Sequence, residues 1–257
     1  MVPRSLGVSS PEGRDVYEFF LTVESRPSIL GKISDIFGKN NVDIIGIHGQ
    51  VSDDKKTGFI IVYVEMSNST VSAQELSKIL KDQEYTVDVV YEERNTYFFE
   101  GFLFPLTSGG HYRVFTVGSK EWAALVKSLH NTFGSASTAL VYEEGVIVGK
   151  AMIGRISSRF SSYPGESVIM KNFMLLYRAA GFGILTVRTD EERLRVRIDY
   201  PVIGKEEQVF DFFTIGIVSG AISKVYDTAY RVKDIRFNED AIEFVLEKEH
   251  GELSTSE

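Results

Sequence analysis

Apolar and polar residues alternate along residues 16–24, the two-residue period of a strand with one buried face. After a turn at Ser25, Arg26 and Pro27 the period lengthens. Ile29, Leu30, Ile33, Ile36 and Phe37 recur at helical spacing, so one stripe of a helix must lie on something. Pro27 is placed to be the first helical residue, where its missing amide hydrogen costs nothing, and Gly38 with Asn40 and Asn41 is placed to end the helix. Residues 42–51 and 58–66 carry β-branched side chains at strand density around a polar loop, which predicts a hairpin. Ser72 and Glu75 have capping-box spacing, Leu76, Ile79 and Leu80 repeat helically behind them, and residues 85–91 alternate as a fourth strand. The order βαββαβ predicts a ferredoxin-like sandwich with both helices on one face of the sheet, a frame that hosts many functions and decides none.

The second half opens on an apolar run, residues 98–105, and an expected strand at 112–117. Ser119 is placed to cap a helix whose stripe is Trp122, Leu125, Val126, Leu129 and Phe133. Residues 137–153 are apolar with Gly145 and Gly149 as punctuation, a pattern open to strand and turn or to helix. A helix over 165–180 stops at Gly181 and Gly183, and a hairpin follows in which Leu194, Val196 and Ile198 point inward and Arg193, Arg195 and Arg197 outward. Residues 208–226 form a helix that is apolar nearly all round, and a last hairpin joins 230–237 to 241–247. The expected class is α+β: a loose leader over 1–15, a first domain over 16–95, a second α/β domain over 96–249 and a loose tail over 250–257.

Composition narrows the function. The 257 residues carry 28 basic and 36 acidic side chains, a formal charge of −8. Ten basic and fifteen acidic residues precede Asn95, so neither half offers the electropositive field that holds a phosphate backbone, and nucleic acid is not expected as a partner. The absence of cysteine removes disulfides, thiolate zinc sites and cysteine nucleophiles. The four histidines have no metal-ligand spacing, so no metal is expected, and with no Walker-type loop and no dinucleotide-binding spacing around Gly181 and Gly183, no cofactor is expected either. No run has the length of a membrane span or the pattern of a signal peptide, and a cytoplasmic location is the expectation.

The run Phe20 to Ile33, with Arg26, Pro27 and Ser28 at its turn, followed by Asn41, Val42, Asp43, Ile44 and Ile45, resembles an ACT domain, the amino-acid-sensing module of biosynthetic enzymes and regulators. The resemblance covers about residues 16–93 and implies a homodimer or higher homo-oligomer with an amino acid bound at the subunit boundary. The implied site residues are Arg26, Ser28, Ile29, Leu30, Asn41, Val42 and Asp43. Amides exposed at a helix start suit a carboxylate, and a short polar residue opposite suits an ammonium group. The family usually has glycine at the position of Ser28.

Residues 97–249, above all Phe212 to Ile222 with its glycines at 216 and 220, resemble a 4-vinyl-reductase-like domain, whose fold is shared with subunits of the TRAPP tethering complex and with sensor domains of aromatic-responsive bacterial regulators. Members hold small apolar molecules internally, which implies a cavity lined by Phe173, Leu176, Tyr177, Phe212, Phe213 and Ile217. Many coordinate zinc through cysteines of the last hairpin, where this chain has Asp234, Phe237 and Ile242. The two glycines one helical turn apart are also what close helix packing uses, the commoner role of small residues at that spacing. Together these features predict a non-catalytic ligand-sensing regulator that binds an amino acid and a hydrophobic small molecule. The alternatives are a reductase acting on a tetrapyrrole vinyl group and a purely structural dimerisation scaffold.

Overall fold

The computed structural model describes residues 7–9, 14–52, 54–94, 97–99, 107–108, 112–114, 116–190, 193–202, 208–238 and 240–249, with side chains throughout except at 7–9, 97–99, 107–108, 112 and 208–210. The class is α+β, and the chain divides into two compact units, residues 1–115 and 116–257. The division falls some twenty residues beyond the boundary expected at 95/96. Within the first unit β1 (Gly7–Ser9) pairs with β6 (Tyr97–Phe99), joining part of the expected leader to the start of the expected second domain.

The first unit runs β2 (Val16–Glu24), α1 (Ile29–Lys39), β3 (Asp43–Val51), β4 (Thr57–Glu65), α2 (Ala73–Lys81) and β5 (Thr86–Arg94). All pairings are antiparallel in the order β3-β4-β2-β5, the βαββαβ arrangement read from the sequence. Odd-numbered residues of β2 (Phe19, Leu21, Val23) and even-numbered residues of β4 (Ile60, Val62, Val64) face one way, and both helices lie on them through Ile29, Ile33, Phe37, Leu76 and Leu80. The opposite face carries Phe20 stacked on Phe59 and the fully buried Glu18, whose carboxylate accepts the Nε hydrogen of Arg94 at 2.7 Å. The capping box is present: the Ser72 hydroxyl accepts from the Glu75 amide at 3.2 Å while the Glu75 carboxylate accepts from the Ser72 amide at 2.9 Å.

The second unit begins with α3 (Ser119–Phe133), α4 (Ala136–Ser157) and α5 (Glu166–Ala179). It continues through β9 (Ile184–Asp190), β10 (Arg193–Asp199), α6 (Gln208–Val225), β11 (Tyr230–Phe237) and β12 (Ala241–Lys248). Its sheet has the order β11-β12-β10-β9 and is antiparallel throughout. One face, built from Leu185, Leu194, Val196, Ile198, Phe244 and Leu246, is covered by α4, α5 and α6, with α6 buried from Thr214 through Ile222. A helix apolar on every side needs cover on every side, and the sheet, α5 and α4 supply it.

Four local expectations are corrected. Pro27 lies in a turn and α1 starts at Ile29, with Ser28 as its N-cap. Gly118, not Ser119, is the N-cap of α3, because Ser119 already has helical geometry. The strand expected at 112–117 is confined to β8 (Tyr112–Arg113), paired with β7 (Thr107–Ser108). The segment open between strand and helix is the continuous helix α4, whose glycines meet α6: a Cβ on Gly145 would lie 3.0 Å from the Cα of Gly216, and one on Gly220 2.7 Å from the Cα of Val146. Both helices are flush with glycine at the crossing, which is the packing use of that spacing.

Candidate functional site

Ser28 adopts φ 70° and ψ −5°, the left-handed region, and makes no side-chain cap bond. This explains why the position suits glycine: an L side chain there costs about 1 kcal/mol, while glycine adopts the conformation freely. Ser28→Gly is therefore expected to raise stability by about 1 kcal/mol in urea denaturation. The first bond of α1 runs from the Lys32 amide to the Ser28 carbonyl at 3.1 Å, which leaves the amides of Ile29 and Leu30 without intrahelical partners.

Ile29 and Leu30 line a cleft of about 340 Å³ together with Arg26, Ile47, Gly49 and Val51, among others. Its placement follows from topology. β2 and β3 each run antiparallel to β4 and so parallel to one another, and α1 returns between them. The start of α1 consequently lies at the end of β3, which is an edge strand. The Arg26 guanidinium is held by the Glu24 carboxylate. Leu30, Ile47 and Val51 are 50%, 47% and 51% exposed, and Ile44 and Ile45 continue the apolar edge toward the start of β3.

Of the seven residues implied for the amino-acid site, Arg26, Ile29 and Leu30 line this cleft, and Ser28, the N-cap of α1, adjoins Ile29 in sequence without lining it. Asn41 and Asp43 stand at the far end of α1, about 16 Å away for eleven helical residues, so a single chain does not bring the two groups together. Asn41 donates its Nδ2 hydrogen to the Asn68 carbonyl at 2.7 Å, Asp43 is exposed, and Val42 is buried in the core. Ile47, Gly49 and Val51 were not in the expected set. Their face is fixed by the register with β4, and the bulge between Ile44 and Gly46 shifts that register by one residue.

In the second unit Phe173, Tyr177 and Ile217 lie within the core, and Leu176, Phe212 and Phe213 border it. Tyr177 is fully buried, with its ring 5.8 Å from Phe173 and 5.2 Å from Phe182. Phe212 lines a larger cleft of about 970 Å³ between α4, α6 and β11, where Tyr142, Ile215, Val232 and Ile235 give an apolar floor and Lys150 and Asp227 a polar rim. Its size is that of a small-molecule site. Asp211, in the first turn of α6, is 3% exposed, and its Oδ1 has no hydrogen-bond partner among the described residues; burial pushes its carboxyl up to about 7. No helix among the described residues is long and apolar enough to cross a membrane.

No family model and no curated protein matches this sequence. Among solved structures, the chain is similar to the phenol-responsive sensory domain of the transcription activator PoxR, at 14% identity over 54% of this chain and 78% of that one, with a TM-score of 0.45. It is also similar to an H-NOX protein from S. oneidensis, at 9% identity over 56% of this chain and 83% of that one, TM-score 0.38. A third likeness is to the C-terminal domain of the MgtC protein from Mycobacterium tuberculosis, at 14% identity over 34% and 94% of the two chains, TM-score 0.29. All three overlays are partial.

Proposed function

We propose that the protein is a non-catalytic ligand-sensing regulator: an ACT-like first unit that binds an amino acid between two copies of the chain, and a second unit of the 4-vinyl-reductase-like kind that takes up a small apolar molecule. The observation that carries this reading is the coincidence of the cleft at the start of α1 with the bare apolar edge of β3. A two-fold axis that pairs β3 with β3 antiparallel sets the free amides near Ser28 and Leu30 of one copy beside Asn41 and Asp43 of the other. The amides suit the ligand's carboxylate, and the Asp43 carboxylate with the Asn41 Oδ1 suits its ammonium group. Covering the half-exposed Leu30, Ile47 and Val51 contributes about 1 kcal/mol apiece toward association. Regulation follows if the amino acid binds one dimer arrangement better than another, because a ligand shifts an equilibrium only by its differential affinity. The cleft between α4, α6 and β11 has room for the apolar guest.

Sedimentation velocity paired with calorimetric titration of each of the twenty amino acids tests the reading. Expected are a dimer, saturable heat with at least one amino acid, and loss of both in Ile47→Asp. A chain that stays monomeric at every concentration, or one that dimerises and gives no heat with any amino acid, would overturn the amino-acid site. Native mass spectrometry of the freshly purified protein checks the second unit, where a bound apolar species of small-molecule mass is expected.

A further inference from the structure

The sheet of the second unit turns its other face to solvent, and its charges are set in rungs by the register. The rung nearest the β9–β10 turn reads Asp190, Arg193, Glu247, Arg231 across the four strands, with the signs alternating. Four residues further along, the rung reads Thr186, Arg197, Glu243, Arg236. Here Arg197 is paired with Glu243 and with Asp199. The rung between them reads Arg188, Arg195, Val245, Lys233: three cations, one apolar residue and no acid.

Arg188 and Arg195 stand directly opposite one another, an arrangement that costs stability in a sheet. Arg195 and Lys233 reach diagonally to Asp190 at 2.9 Å and Glu247 at 2.8 Å, and the acids they borrow are already opposite Arg193. Among the described residues neither Arg188 nor Arg236 has an ion-pair partner. Arg188, Arg195 and Val245 of this rung line a cleft of about 660 Å³, where Arg193, Arg197 and Arg236 bring the arginines to five against the three carboxylates of Asp199, Asp234 and Glu243. On a chain of net charge −8, a local excess of arginine that repels itself calls for an anion.

We propose that this face binds a small organic anion bearing at least two acidic groups, carboxylate or phosphate, gripped by Arg188, Arg195 and Arg236 over Val245. The planar guanidinium fork matches both kinds of group. The cleft has the volume of a metabolite, and the carboxylates of Asp190, Glu243 and Glu247 in the flanking rungs oppose an extended phosphate chain. The site is separate from the amino-acid cleft and from the cleft beside α4 and α6, and does not depend on either.

Calorimetric titration of the full chain with pyrophosphate and with citrate, at matched ionic strength and with acetate as the monovalent control, tests it. Saturable binding of either polyanion is expected, at least tenfold weaker in the double variant Arg188→Gln, Arg195→Gln and less than threefold weaker in Arg231→Gln, from the balanced rung and outside the cleft lining. Preference for pyrophosphate assigns phosphate groups to the ligand, and preference for citrate assigns carboxylates. Without anion the double variant is expected to melt no lower than the wild type, since it loses a repulsion, while the pyrophosphate-induced rise in Tm disappears. Absence of saturable binding of both polyanions, or equal losses in the double variant and Arg231→Gln, would overturn the proposal.

Discussion

Alanine at Gly149 is expected to destabilise the second unit by at least about 3 kcal/mol, a large share of what a domain of this size has to lose. The added methyl would collide with the carbonyl oxygen of Ile217 and approach the Ala221 amide nitrogen to 2.8 Å. These are backbone atoms of α6, which no rotamer change can move. Nor can α6 retreat, because Ile215, Val218 and Ile222 are fully buried in the same core as the sheet and α5. The same helix offers its own control. Gly154 has nothing within 4 Å of where its Cβ would stand, so Gly154→Ala is expected to stabilise by up to about 1 kcal/mol through helix propensity. Trp122, the single tryptophan, lies 5.1 Å from Phe213 of α6 and reports on this unit by fluorescence during urea unfolding. Equal midpoints for the wild type and Gly149→Ala would refute the close crossing.

The second large effect belongs to Asp211. Burial raises its folded-state pKa from 3.8 to about 7, so between those values the folded chain holds a proton that the unfolded chain has lost. Stability therefore falls as pH rises through that window and levels off above about 8, with a total cost of at most about 4 kcal/mol. The sign is opposite to that of a salt-bridged carboxylate. Asp211→Asn removes the titration and is expected to be more stable than the wild type at pH 8 and similar at pH 4. The Tyr177 hydroxyl, fully buried and pushed up by desolvation, stays neutral throughout and contributes no slope. Unfolding free energies measured in urea from pH 4 to pH 8.5 for both proteins check this, and parallel profiles would show that Asp211 titrates normally.

Period and local chemistry made much of the first unit legible: the stripe of α1, the Ser72–Glu75 box and the hairpin of β3 and β4 all have short-range causes. What could not be read depends on partners distant in sequence. Gly145 and Gly149 look like breaks in α4 until α6 is set against them, because glycine is a poor helix former and gains its value from the approach it allows. The left-handed Ser28 was legible only through the glycine usual at that position in the resembling family. The outward alternation of Arg193, Arg195 and Arg197 was visible along β10, whereas the row that joins Arg195 to Arg188 and Lys233 exists only in the register of four strands. Asp211 interrupts an apolar run, and nothing local marks it as buried.

The place of β2 in its sheet bears on how the chain acquires its structure. It is synthesised before either of its partners, yet it lies between β4 and β5 and aligns Val16 with Glu65 on one side and Arg94 on the other. Its ladder closes only after nearly eighty further residues have been made, so loop-closure entropy must be met before those contacts reward it, and assembly of this unit is slow relative to that of a helical bundle. By contrast, the hairpin of β9 and β10 and that of β11 and β12 each join neighbours in sequence. β2 thus waits on the ribosome for its partners, and in that interval its apolar residues are open to a chaperone.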